Sequence, residues 1–283
     1  RVQRLHSKIA ALKTKMQELR DIGAQLESAP DKQISLTDPD ARSMMTRGTG
    51  LVGYNVQAAV DTKHHLIVTH EVTNNGVDRD QLSAMAKQAR DAMGVESLSV
   101  VADWGYFKSE EILACHEVGI TTFVPKAKTS AAAAAGRFGR DDFIYDAAHD
   151  EYRCPAGERL VWRFSTVEKG LKLHRYWSSH CQGCALKDQC TPSAQRRVSR
   201  WEHESVLDAM QSRLDQAPEM MRIRRQTVEH PFGTLKAWMG ATHFLTKTLD
   251  RVSTEMSLHV LAYNFKRVLS LLGNSALMNA MRA

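Results

Sequence analysis

The chain has 283 residues, 43% hydrophobic and 25% charged. That is enough apolar material for a folded core, and it excludes a disordered chain. No run approaches the ~18 uninterrupted apolar residues of a membrane span, and the first residues lack a signal-peptide pattern, so membrane and secreted readings fall away. Thirty-eight Lys and Arg against 32 Asp and Glu leave a net charge of +6, a tilt toward polyanionic partners. Five cysteines in such a chain point to metal or to burial rather than to disulfides.

The chain opens on Arg1, already inside a helical pattern, which reads as the continuation of something longer. Val2, Leu5, Ile9, Leu12, Met16 and Leu19 alternate spacings of three and four, and Leu26 keeps the register. This heptad seam predicts either a helix packed on its own domain or a coiled coil. Val52 to Asp61 and Leu66 to Val72 predict two strands of a hairpin around a short polar link. A helix carrying Leu82, Met85, Ala89 and Met93 follows, with Asp78 or Asp80 as cap and Gly94 as stop. Ser97 to Asp103 is a β-rich run ending in a carboxylate. A short helix from about Ser109 to Glu117 and a strand from Ile120 to Val124 complete a βαβ unit, whose strands should be parallel.

Residues 128–140 (KTSAAAAAGRFGR) read as a linker or mobile loop. From about Glu202 the pattern is helical again. Ser253 or Thr254 should cap a last long helix, with Leu258, Leu261, Phe265, Val268, Leu269 and Leu272 as its apolar face up to Gly273. The final ten residues carry no signal.

Three patterns carry chemistry. Cys154, Cys181, Cys184 and Cys190 form C-x26-C-x2-C-x5-C. The close Cys181/Cys184 pair has the spacing of a zinc knuckle, and four thiolates make a closed structural Zn²⁺ site. The strand-like ERLVWRF and LKLHRYW between the first two cysteines would form the ribbon that the metal pins. Cys115 reads as a core residue. Asp103, in VVADWGY, ends a buried strand before a glycine turn, where open α/β sheets place their ligands. The competing reading is a local turn or cap. Arg225, Glu229 and Lys236, in RRQTVEHPFGTLK, fall within about 40° of one another on a regular helix. An acid between two bases suits a divalent metal beside phosphates, although surface ion pairs are the commoner outcome. Pro231 should bend that helix or start it. Trp162, Trp177, Trp201 and Trp238 could stack on bases, but core positions are the expectation.

A strand-ending Asp-x-Gly-Tyr followed well downstream by Arg-x3-Glu-x6-Lys resembles the DDE transposases of bacterial insertion sequences. TDPDARSM, GYNVQAAVD, VVADWGY, the cysteine segment and VEHPFGTLK, in that order, are similar to the subgroup with a Cys-rich insertion. The resemblance runs from about Ser35 to about Gly273. It implies an α/β, RNase H-like mixed sheet flanked by helices, with a small zinc-ribbon-like insertion and the N-terminal heptad helix. Residues 1–29 would be the helical or coiled-coil segment and 30–127 the first part of the catalytic core. Residues 128–199 would be linker plus Cys-rich insertion, 200–273 the second part of the core, and 274–283 a tail.

By the same resemblance Asp103 matches the second Asp of the family and Glu229 its Glu, both ligands of Mg²⁺ or Mn²⁺. Arg225 and Lys236 match the basic partners that meet DNA, and Arg222 stands where the family has Tyr. The separation of 126 positions from Asp103 to Glu229 leaves room for the insertion. The implied activity is metal-dependent cleavage and strand transfer of transposon-end DNA in the bacterial cytoplasm, on the nucleoid. The partners would be double-stranded DNA (ends and target) and a second copy in a working homodimer. The first Asp of the triad, often in Asp-Gly-Thr, has no such counterpart here. It is expected upstream of residue 1, with Asp40 or Asp38 as fallback and Asp61 the other nearby acid. The alternative is a zinc-bearing DNA-binding remnant without cutting activity; a host RNase H-like nuclease is a weaker third reading.

Overall fold

The computed structural model describes residues 2–29, 31–46, 48–127 and 131–282. It is a mixed α/β protein made of two compact units, residues 1–101 with 219–283 and residues 102–218. Nineteen helices and strands are formed among the described residues, beside single 3-10 turns and one π-turn.

The first unit begins with helix α1 (Val2–Ser28), which runs as the heptad spacing predicts but buries none of its residues. The expectation of a helix packed on its own domain is therefore not met. Strands β1 (Arg42–Thr46) and β2 (Thr49–Gly53) pair antiparallel. The predicted strand from Val52 is interrupted at Tyr54: Val52 belongs to β2, and β3 (Asn55–Val60) starts after the break. β3 pairs with β4 (Ile67–Thr73) in the expected hairpin, with an irregularity at Ala59/Val60. Its link is tied by Asp61, whose carboxylate accepts the N–H of His64 at 2.6 Å and of Lys63 at 3.2 Å.

Helix α2 (Leu82–Met93) stops where Gly94 takes a left-handed conformation, φ 63°, as a C-cap glycine does. Leu82, Met85, Ala86 and Ala89 are buried, whereas Met93 is exposed. Asp78 does not cap this helix. Gln81 precedes it, and Asp78 accepts hydrogen bonds from Asn55 and Gln57, both at 2.7 Å, so it ties α2's approach to β3. The unit is completed by β5 (Leu98–Val101), α7 (Met220–Gly233) and α8 (Leu249–Arg282).

Helix α8 starts four residues before Ser253 and breaks at Gly273, φ 75°. Its predicted apolar face is not its buried face. Leu258, Leu261, Phe265 and Leu272 are exposed, while Val252, Met256, Val260 and Tyr263 are buried with Ile67, Val72 and Leu235. Two apolar stripes compete on this helix, and α8 turns to the hairpin the stripe that also carries hydrogen-bonding groups. Asn264 bonds both the N–H (2.9 Å) and the C=O (2.8 Å) of Ile67, Tyr263 donates to the carbonyl of His65 at 2.6 Å, and Arg267 to that of His64 at 2.6 Å. Those carbonyls would otherwise be costly to bury.

The second unit holds α3 (Ser109–Glu117), β6 (Ile120–Phe123), α4 (Ala131–Ala134), β7 (Ile144–Asp146), β8 (Glu151–Arg153), β9 (Arg159–Glu168), β10 (Leu171–Trp177), α5 (Lys187–Cys190), β11 (Val198–Trp201) and α6 (Glu204–Gln216). α3 and β6 match the predicted helix and strand, and Cys115 is fully buried, as a core residue should be. α6 packs on both. β7 to β11 form one antiparallel sheet in the order β11-β10-β9-β8-β7, over a core of Phe143, Tyr152, Leu160, Tyr176 and Val198. β9 and β10 are the two strands expected between the first two cysteines. Lys128, Thr129 and Ser130 of the predicted mobile stretch lie outside the described residues. Its end is anchored: Phe138 N–H donates to Gln189 O at 2.8 Å, and Arg140 pairs with Glu204 at 2.7 Å.

Candidate active site

Asp103 has extended backbone (φ −83°, ψ 177°), and its carboxylate accepts the Gly105 N–H at 2.8 Å, opening the 3-10 turn Trp104–Tyr106. Just before it, Ala102 N–H donates to Phe123 O at 3.1 Å, which holds the backbone beside the acid in sheet-like register. The residue is thus the local cap its sequence suggested. It is also a half-buried carboxylate at the start of a turn.

Glu229 lies on α7. The helix neither starts nor breaks at Pro231 but continues to Gly233, then widens into a π-turn over Thr234–Trp238. Proline supplies no N–H to the carbonyl one turn back, which loosens the helix at this point. Fewer degrees per residue in the π-turn make Lys236 lag behind the common face that a uniform helix predicts. Arg225 and Glu229 stay one turn apart on regular helix. All three side chains are exposed. Among the described residues the Glu229 carboxylate makes no hydrogen bond or ion pair, so the surface ion-pair outcome is not what forms.

The neighbour of Glu229 is anchored. His230 Nδ1 lies 2.9 Å from the Tyr263 hydroxyl, and its ring is 5.0 Å from that of His65. Because the Tyr263 proton goes to the His65 carbonyl, His230 Nδ1 carries the proton it donates to Tyr263. Burial, then the charges of His65 and Arg267, hold the His230 imidazole below its ordinary value. One turn further on, His230, Thr234, Trp238, Tyr263, Lys266 and Arg267 line an open cavity of about 260 Å³. Lys266 Nζ stands 5.9 Å from the ring centre of Trp238, which is 81% exposed. Trp238 and Trp162 are therefore not core residues as expected, whereas Trp201 is. No spacing signal marks this cavity, since its walls come from α7, the π-turn and α8.

The fallback acids have structural work. Asp38 is buried; it accepts from the Tyr54 hydroxyl at 2.8 Å and from Thr248 N–H at 3.1 Å, while Asp40 accepts from Leu249 N–H at 2.9 Å. Together they cap the N-terminus of α8, where two anionic oxygens meet free N–H groups. Burial raises Asp38, but the bonds from Tyr54, Thr248 and Asp40 outweigh it and hold the carboxyl below the ordinary range.

Cys154, Cys181, Cys184 and Cys190 line one small cavity of about 30 Å³, shared with Phe138, Phe143 and His180. Burial pushes the Cys190 thiol up, Arg196 pulls it down, and the other three cysteines add to the rise. Among the described residues no group of three or more His, Cys, Asp or Glu is arranged to hold a metal ion. The four sulfurs line this one cavity.

Comparison with known families completes the picture. The family model of the transposase DDE domain matches residues 27–265, most of the chain, and spans both Asp103 and Glu229. This chain belongs to that family, whose members act on DNA as transposases. No match was found among curated proteins or among solved structures. Among the described residues no helix is long and apolar enough to cross a membrane.

Proposed function

We propose that this chain is the catalytic part of an insertion-sequence DDE transposase, of the subgroup with a Cys-rich insertion, that cuts transposon ends and joins them to target DNA. The family match across residues 27–265 carries the reading. Support for the site comes from Glu229, a carboxylate left exposed and without a partner among the described residues on an anchored helix. Asp103 and Glu229 each offer hard oxygen donors suited to Mg²⁺ or Mn²⁺. When bound, such ions activate water against a phosphodiester and stabilise the leaving 3′ oxygen. Arg225 and Lys236 bind backbone phosphates and orient the scissile strand, a positioning role without base readout. The His230–Tyr263 contact keeps α7 from rolling, so the direction of Glu229 is maintained.

The same proposal gives the chain an RNase H-like fold and places the working protein on DNA in the bacterial cytoplasm, as a homodimer. The thiol set of Cys154, Cys181, Cys184 and Cys190 is right for Zn²⁺ rather than Mg²⁺, and the zinc would be structural.

The test uses labelled DNA carrying the ends of the element, with the transposase that contains this chain. Asp103→Asn and Glu229→Gln should each abolish Mg²⁺-dependent cleavage while end binding stays within a few-fold of wild type. Cleavage persisting in either variant overturns the site assignment.

A further inference from the structure

Helix α1 shows an apolar seam to solvent over its first three heptads. Leu5 is 59% exposed, Leu12 64%, Met16 55% and Leu19 57%, and no residue of the helix is buried. With Val2 at position a, the heptad puts Val2, Ile9, Met16 and Gly23 at a and Leu5, Leu12, Leu19 and Leu26 at d. β-Branched residues at a with Leu at d favour a parallel two-stranded coiled coil. The partner is decided by the flanks. In the first three heptads positions e are His6, Lys13 and Arg20, and positions g include Lys8 and Lys15. In a parallel pair of two copies, Lys8 would face Lys13 and Lys15 would face Arg20, each twice; an antiparallel pair sets the same cations against one another. Of the acids, Glu18 and Asp21 sit on the outer face and Glu27 takes position e of the fourth heptad. Glu18 holds Lys15 across the surface at 3.0 Å, a solvated pair of little weight.

We propose that α1 is a docking helix for one parallel amphipathic helix of another protein, with an apolar seam and Asp or Glu along its e and g positions, and that it does not pair with its own copy. Its apolar seam supplies the affinity, and its cationic flanks reject a second copy and select an acidic partner.

The experiment takes the whole chain and two synthetic four-heptad helices, both with Ile at a and Leu at d, one with Glu and one with Lys at every e and g. Titration should show the Glu-flanked helix bound and weakening with salt, and the Lys-flanked helix bound about 100-fold more weakly. Ile9→Asp with Leu12→Asp should abolish binding without moving the melting temperature, since both side chains are solvent-exposed. Lys8→Glu, Lys13→Glu, Lys15→Glu and Arg20→Glu together should reverse the preference between the two helices. Equal binding of both helices overturns the proposal, as does binding of neither. So does self-association removed by Ile9→Asp with Leu12→Asp, or displacement of the acidic helix by double-stranded DNA.

Discussion

The hydroxyl of Tyr54 donates to Asp38 at 2.8 Å, and the other carboxylate oxygen of Asp38 accepts the Thr248 N–H at 3.1 Å, across 210 positions of sequence. One acid thereby joins the approach to β3 with the first turn of α8. Removing it strands a buried hydroxyl and a helix N–H. Asp38→Ala should cost about 2–3 kcal/mol in chemical denaturation. The carboxyl is held below its ordinary 3.8, so its contribution is complete above that pH and is lost as acid titrates the folded state below it. Tyr54 is shifted the other way, upward, by burial and then by Asp38, so its contribution is complete below pH 10 and declines in stronger base. Urea melts of wild type and Asp38→Ala from pH 3 to pH 7 should converge toward the acid end. A constant gap across that range would refute the linkage.

The two stripes of α8 make a paired prediction. Val252 is fully buried and Leu261 is 64% exposed. Val252→Ala should destabilise by about 1–3 kcal/mol and Leu261→Ala by under about 0.5 kcal/mol. The reverse order in thermal melts would mean that the face predicted from periodicity is the packed one after all.

The latch behind Glu229 predicts a separation of effects. Tyr263→Phe removes the donor to the His65 carbonyl and the acceptor of His230, and should cost about 1–2 kcal/mol. Cleavage by the transposase should fall with kcat, while DNA binding is retained, because Glu229 keeps its charge but loses its fixed direction. Unchanged kcat would show that the latch only stabilises the fold.

The cysteine proposal predicts about one zinc per chain when the protein is purified without chelator. Cys181→Ser should lower metal content and the melting temperature together, since metal binding supplies folding free energy to the small sheet. Elemental analysis finding no zinc in the wild type would remove it.

Within the second unit, Arg200 lies 3.6 Å from the ring centre of Tyr145 and pairs with Asp208 at 2.8 Å. Arg200→Lys keeps the charge but loses the planar group that stacks and forks, and should cost about 1–3 kcal/mol. A variant as stable as wild type in urea would show that charge alone suffices.

Sequence alone determined what local chemistry decides. The β3–β4 hairpin, α2 with its stop at Gly94, α3, β6 and the strands between Cys154 and Cys181 follow from short-range pattern and turn residues, and they form where expected. Asp103 and Glu229 could be proposed from sequence because each sits in a contiguous motif, VVADWGY and VEHPFGTLK, inside the stretch that the family model matches. Only the tertiary structure decided which apolar stripe of α8 is buried, which acids cap it and which tryptophans stay in solvent. Val252, Met256, Val260 and Tyr263 won over Leu258, Leu261, Phe265 and Leu272 because Asn264 and Arg267 lie beside them to satisfy the hairpin's backbone. Asp38 and Asp40 met Thr248 and Leu249 through chain folding, not spacing. Hydrophobic periodicity states which residues share a face; it does not state which face finds the partner that can also take up buried N–H and C=O groups.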